Sequence, residues 1–180
     1  MKKGLVILLN GPSSSGKTTL SRNLQKHFPA PLYYTSYDLV CGEMIPYIDR
    51  WCHDGKSLDP ETEFLNVMYT MARAASDIGR SIVVDNCFFD TQDIYESALD
   101  ILCDTPVVLV RVKCPPEELR RREKARGDRT IGKAEWQNDH IKPKDDEVYD
   151  IIVDTHAETS EVCAERIIAF CKKIMREAEE

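Results

Sequence analysis

The stretch that most limits what this chain can become is Leu5-Val6-Ile7-Leu8-Leu9-Asn10, which runs directly into Gly11-Pro12-Ser13-Ser14-Ser15-Gly16-Lys17-Thr18. The apolar run, cut off by turn residues, reads as a buried strand. The loop has the GxxxxGKT spacing, and strand, loop and helix follow in the order that gives such a spacing meaning. Its glycines let backbone N–H groups turn inward around anionic oxygens, and the helix that follows aims its positive dipole end at the same place. In that arrangement Gly11, Pro12, Ser13, Ser14, Ser15, Gly16, Lys17, Thr18 and Thr19 hold the phosphates of ATP. Lys17 neutralises the β- and γ-phosphates and Thr18 offers its hydroxyl to Mg2+. Leu20, Leu24 and Phe28 recur at helical spacing, so the helix packs one face back on a sheet.

The rest of the chain repeats the strand and helix alternation. Leu32 to Tyr37 is a β-rich run ending at Asp38; Ser81 to Val84 is an apolar strand ending at Asp85; Pro106 to Cys114 and Val148 to Thr155 are the remaining strands. Asp59-Pro60-Glu61 starts a long helix, with Phe64, Met68, Met71, Ala75 and Ile78 expected along its buried stripe. Thr91 is positioned to cap a helix reaching about Cys103. Lys133 to Ile141 reads as a short helix, and a last one from Ser160 places Cys163, Ile167, Phe170, Cys171 and Ile174 on one face. Alternation of this kind implies an α/β fold: a P-loop NTPase with a five-stranded, mostly parallel sheet and helices on both faces. At 180 residues the chain suits one domain, residues 1–180.

Charge and composition narrow the possible partners. With 24 basic and 31 acidic residues the net charge is −7, which argues against a nucleic-acid or anionic-membrane partner. No apolar run approaches the roughly 20 residues of a membrane helix, and Met1-Lys2-Lys3 leads into no secretory signal, so a cytoplasmic location is expected. Seven cysteines without a CxxC pair, several inside apolar periodic runs, fit buried free thiols better than disulfides or a zinc site. The four histidines have no metal-ligand spacing.

In a parallel sheet ligands sit beyond the strand C-terminal ends, where the loop, Asp38, Asp85 and Thr155-His156 should converge. Asp85 has the placement of an acid that orients Mg2+, and Asp38 that of a base within reach of an attacking hydroxyl; spacing alone leaves the two free to exchange roles. The run Arg120, Arg121, Arg122 and Lys124 reads as a solvated face, or as salt-bridge partners of Glu117, Glu118 and Glu123. Arg126 and Arg129 straddle Gly127 and suit a lid, about residues 116–142, that closes over ATP. Residues 40–60, with Tyr47 and Trp51, read as an insertion on the acceptor side.

Ile7-Leu8-Leu9-Asn10-Gly11, the block Ala125-Arg126-Gly127-Asp128-Arg129 with Gly132, Gln137 and His140 behind it, and Tyr149-Asp150-Ile151-Ile152-Val153-Asp154-Thr155 resemble the chloramphenicol phosphotransferase-like family of small P-loop kinases. The resemblance runs nearly end to end. It implies an ATP-dependent phosphotransferase acting on a small-molecule hydroxyl, with Asp38 as the base and Arg126 and Arg129 as lid arginines near the phosphates. The chain departs from the family at Asn86, where a second acid is expected after the third strand, and in the 40–60 segment. Two other readings of the phosphate loop are a kinase for another acceptor (a sugar, adenylylsulfate or a nucleotide-sugar) and a nucleotide-binding regulatory module.

Overall fold

Five strands order themselves β2-β3-β1-β4-β5, and every neighbouring pair is parallel. They are β1 (Val6–Asn10), β2 (Tyr33–Ser36), β3 (Ile82–Asn86), β4 (Val107–Lys113) and β5 (Ile151–Asp154). Among the described residues seven α-helices are interleaved with them: α1 (Lys17–His27), α2 (Tyr37–Leu39), α3 (Pro60–Asp77), α4 (Ile94–Ile101), α5 (Pro116–Arg126), α6 (Lys133–Asp139) and α7 (Ser160–Glu177). The computed structural model describes residues 2–44, 60–88, 94–127 and 131–177. The Asp59 and Thr91 caps, Tyr47, Trp51 and Arg129 lie outside them.

Both faces of β1 are buried, which is why its sequence is apolar throughout instead of alternating. Leu5, Ile7 and Leu9 pack with Leu20, Leu24 and Phe28 of the α1 region and with Cys163, Ile167 and Cys171 of α7. Val6 and Leu8 point the other way, towards Phe64, Met68 and Tyr69 of α3 and Ile94 and Ala98 of α4. The placement of the helices follows from handedness. The crossover from β1 to β2 runs in one direction along the sheet, whereas those from β2 to β3 and from β3 to β4 run back. Right-handed crossovers therefore put α1 on one face and α3 and α4 on the other. Because the chain leaves the adjacent strands β1 and β3 in opposite directions, a crevice opens above their C-terminal ends.

Several expectations need correction. On α3, Met71 is 36% and Ile78 62% exposed, while the buried line is Phe64, Leu65, Met68, Tyr69 and Ala72. At 100° per residue, Leu65, Ala72 and Tyr69 lie about 80–140° to one side of Phe64, and Met71 and Ile78 lie about 20–40° to the other. The expected stripe was thus the edge of the true one. The fifth strand begins at Ile151, because Asp146–Val148 is a turn of 3-10 helix whose N–H at Glu147 is capped by the Asp145 carboxylate. The second strand spans only Tyr33–Ser36, and α6 stops at Asp139. Cys114, Cys163 and Cys171 are buried and free as expected, but Cys103 is exposed; Cys41 and Cys87 are half-buried. Burial pushes the Cys171 thiol up to about 12. Among the described residues no group of His, Cys, Asp or Glu is arranged to hold a metal, and no helix is long and apolar enough to cross a membrane.

Candidate functional site

The loop between β1 and α1 needs its two glycines for different reasons. A Cβ on Gly11 would stand 2.6 Å from the Val112 carbonyl oxygen, and Gly16 has a φ of 90°, which side chains resist. Ser14 adopts φ 61°, so the loop curls through two left-handed positions before α1 begins. The first helical bond is from Leu20 N–H to the Gly16 carbonyl, and the N–H groups before it are those a helix start leaves for an outside acceptor. Ser13, Ser14, Gly16, Lys17, Thr18 and Thr19 line a cleft of about 670 Å3. Gly11, Pro12 and Ser15 form the back of the loop, where Pro12 and Ser15 offer carbonyls to Lys17 and Thr155.

Lys17, Thr18 and Asp85 form one cluster. The Thr18 hydroxyl donates to Asp85 Oδ2 at 2.8 Å; Lys17 Nζ lies 3.7 Å from Asp85 Oδ1 and donates to the Pro12 carbonyl at 2.8 Å. The pleat of β3 decides which acid can take part. Ile82 and Val84 face α3, so Asp85 faces α1, and Asn86 turns back to donate to the Tyr69 hydroxyl at 2.7 Å. The absence of a second acid at position 86 therefore costs the Thr18 side of the site nothing. A hydroxyl beside a carboxylate is an all-oxygen donor set that suits Mg2+. Ser14 lines the cleft with a buried hydroxyl that has no hydrogen-bond partner among the described residues, the kind of orphan an anionic oxygen satisfies.

Asp38 also lines this cleft, but it does not sit at a strand tip. It lies in α2, a single turn started by Ser36, whose hydroxyl accepts the Leu39 N–H at 3.1 Å. Tyr34 lines the cleft with both acids, and burial raises its phenol pKa, with smaller contributions from the negative charges of Asp85 and Asp38. Arg126, the last residue of α5, also lines the cleft, and Gly127 at φ 72° ends the helix there. Thr155 joins the cleft wall.

Two side chains that sequence reasoning left without a role touch the loop. Arg122 is no solvated residue. Its guanidinium donates to the Thr155 hydroxyl at 3.1 Å and carbonyl at 2.9 Å, reaches the Ser14 carbonyl at 3.4 Å, and is gripped by Glu118. It stands four residues before Arg126 and so shares its helix face, which was the available signal. Gln137 of α6 accepts the Ser13 N–H at 2.7 Å. Arg121 pairs with Glu118 as expected, as does Arg122, whereas Arg120 bonds Glu135 instead, and Glu123 is fully buried, accepting the N–H groups of Gly132 and Ala134.

Hydrogen bonds from Arg121 and Arg122 hold the Glu118 carboxyl down to about 2, from an ordinary 4.5. A carboxylate depressed in the folded state contributes stability that is complete above its unfolded pKa and is lost as pH falls through the folded one. A Glu118→Gln variant should therefore melt below the parent chain at neutral pH. The gap should close as pH falls from about 4.5 towards about 2, read by thermal unfolding across that range.

A profile of the family described as chloramphenicol phosphotransferase-like protein matches residues 4–172. A Mycobacterium tuberculosis H37Rv protein named "Putative O-phosphotransferase" is 29% identical over 87% of this chain and 77% of its own length. Among solved structures, the Mycobacterium tuberculosis APS kinase in complex with AMPPNP and APS has a TM-score of 0.68 at 17% identity, over 96% of this chain and 99% of that one. A gluconokinase from Sinorhizobium meliloti 1021 has a TM-score of 0.68 at 16% identity, over 99% and 97%. At such identities the likeness is one of fold, that of the small P-loop kinases.

Proposed function

Because this chain belongs to the chloramphenicol phosphotransferase-like family, we propose that it is an ATP-dependent kinase that moves the γ-phosphoryl group to a hydroxyl of a small molecule. The observation that carries this reading is the meeting of the Lys17, Thr18 and Asp85 cluster with Asp38 in one cleft. A slow hydrolase or nucleotide switch needs the cluster but has no use for a second carboxylate in the same cleft.

Gly11 to Thr19 hold the triphosphate, with loop N–H groups on the phosphate oxygens. Lys17 leaves the Pro12 carbonyl for the β- and γ-phosphates. Thr18 and Asp85 hold the Mg2+ that, when bound, offsets charge on the phosphates. Asp38 accepts the proton of the acceptor hydroxyl as its oxygen attacks the γ-phosphorus, and the bond from that phosphorus to the bridging oxygen breaks with ADP as the leaving group. Arg126 and Arg129 close over the donor as the arginines of a lid spanning about residues 116–142. Segment 40–60, most of it outside the described residues, bounds the acceptor in a chain that folds as one domain, 1–180. Catalysis here is chiefly positioning and charge stabilisation.

The acceptor is sought by following ATP consumption against chloramphenicol, sugar acids, adenylylsulfate and nucleotide-sugars, with the product identified by mass. An acceptor that accelerates turnover and gains a phosphoryl group supports the kinase reading. ATP binding with no acceptor ever accelerating turnover favours a regulatory module. Arg126→Ala should lower kcat by about 10²-fold, since a lid arginine makes its contact with the phosphates in the closed state. A normal kcat would return Arg126 to a surface role.

A further inference from the structure

Gln137 is 8% exposed, and its Oε1 accepts the Ser13 N–H at 2.7 Å. A backbone N–H can only donate, so the amide oxygen is fixed towards Ser13 and the NH2 group takes the other side. That Nε2 has no hydrogen-bond partner among the described residues, yet Gln137 lines the same cleft as Lys17. This Nε2 is not among the atoms shut off from solvent, so both of its N–H bonds are open to an acceptor that enters the cleft.

The contact is more specific than a loop touching a helix. Ser13 N–H and the Pro12 carbonyl belong to one peptide unit and point in opposite directions. Gln137 holds the first and Lys17 Nζ, at 2.8 Å, holds the second. When Lys17 moves to a phosphate, the Pro12 carbonyl keeps the Ser15 N–H at 3.3 Å within the loop, and Gln137 is the side-chain restraint left on that peptide. From the geometry we infer that Gln137 reads the terminal phosphoryl group of the donor: Oε1 keeps the loop peptide in place while Nε2 donates to a γ-phosphate oxygen. The inference rests on the proposal that the loop binds ATP.

The same residue ties donor to lid. The start of α6 is fastened to α5 by the buried Glu123 carboxylate, which accepts the N–H groups of Gly132 and Ala134 at 2.9 and 2.7 Å. Glu123 stands one turn before Arg126. A phosphate oxygen that draws Gln137 towards it therefore pulls α6, and through Glu123 the arginine end of α5, towards the loop. A diphosphate has no oxygen in that position, so Gln137 distinguishes donor from product.

The test compares binding of ADP and of AMPPNP, each with Mg2+, by calorimetry to the full chain and to Gln137→Glu and Gln137→Met. Glutamate keeps an oxygen for the Ser13 N–H and turns the second donor into a repelling acceptor; methionine removes both. The parent chain should prefer AMPPNP to ADP. Gln137→Glu should bind AMPPNP about 10- to 100-fold more weakly, with ADP affinity changed less than about threefold. Gln137→Met should lose the preference while weakening both ligands. Equal discrimination in the parent chain and Gln137→Glu overturns the inference, as does a parallel loss of both nucleotides in that variant. A parent chain that binds neither nucleotide overturns instead the ATP reading beneath it.

Discussion

Asp38→Asn is expected to lower kcat by about 10²–10⁴ and to leave the KM for ATP within about threefold of its starting value. The amide has the size of the carboxylate and can still touch a hydroxyl, but it cannot take its proton. Asp38 lies in the single turn of α2, outside the phosphate loop, so nucleotide contacts should survive the change. The check is a steady-state comparison with the true acceptor at saturating ATP. An unchanged kcat would leave Asp38 a turn acid and transfer the base to another group.

Lys17→Ala should have the other large effect, a fall in kcat/KM for ATP of about 10³ or more, from lost binding of the phosphates and lost stabilisation of their charge in transfer. Lys17 is 8% exposed and its ammonium lies 3.7 Å from Asp85 Oδ1, with solvent largely excluded from both. Its removal also leaves the Asp85 carboxylate with the Thr18 hydroxyl as its remaining close donor, so a lower melting temperature is expected alongside the kinetic loss. Nucleotide titration of the folded variant separates the two effects. Retained AMPPNP affinity would remove Lys17 from the phosphate site.

Much of the fold was readable along the chain because its cues are local. Leu20, Leu24 and Phe28 share one helix face whatever lies opposite, and all three are buried. The strands carry continuous apolar runs since a parallel sheet leaves neither face to water. Reading weakened where a helix had to choose a face. On α3 a stripe through Phe64 and Met68 is compatible with centres about 80° or more apart, and only packing against the sheet and α4 selects the one through Ala72 and Tyr69. It reached only part of the charge cluster on α5. Arg121 and Arg122 both pair with Glu118, as their spacing suggests. But Arg120 bonds Glu135 and Arg122 also reaches Thr155 and the loop around Ser14, contacts set by what the helix packs against.

What the sequence by itself determined is the phosphate loop. Its two left-handed positions, its glycines and the lysine and threonine that follow are set within eight consecutive residues, and steric limits on φ act at that range. What only the tertiary structure decided is which groups answer the loop from elsewhere. Asp85, 67 residues from Thr18, reaches it because strand register and the two-residue pleat turn that acid to the α1 face and its neighbour Asn86 away. Gln137 and Arg122, 124 and 108 residues from their loop partners, reach it because α5 and α6 fold over the strand ends. No local preference encodes contacts at such separations; packing of the whole sheet sets them.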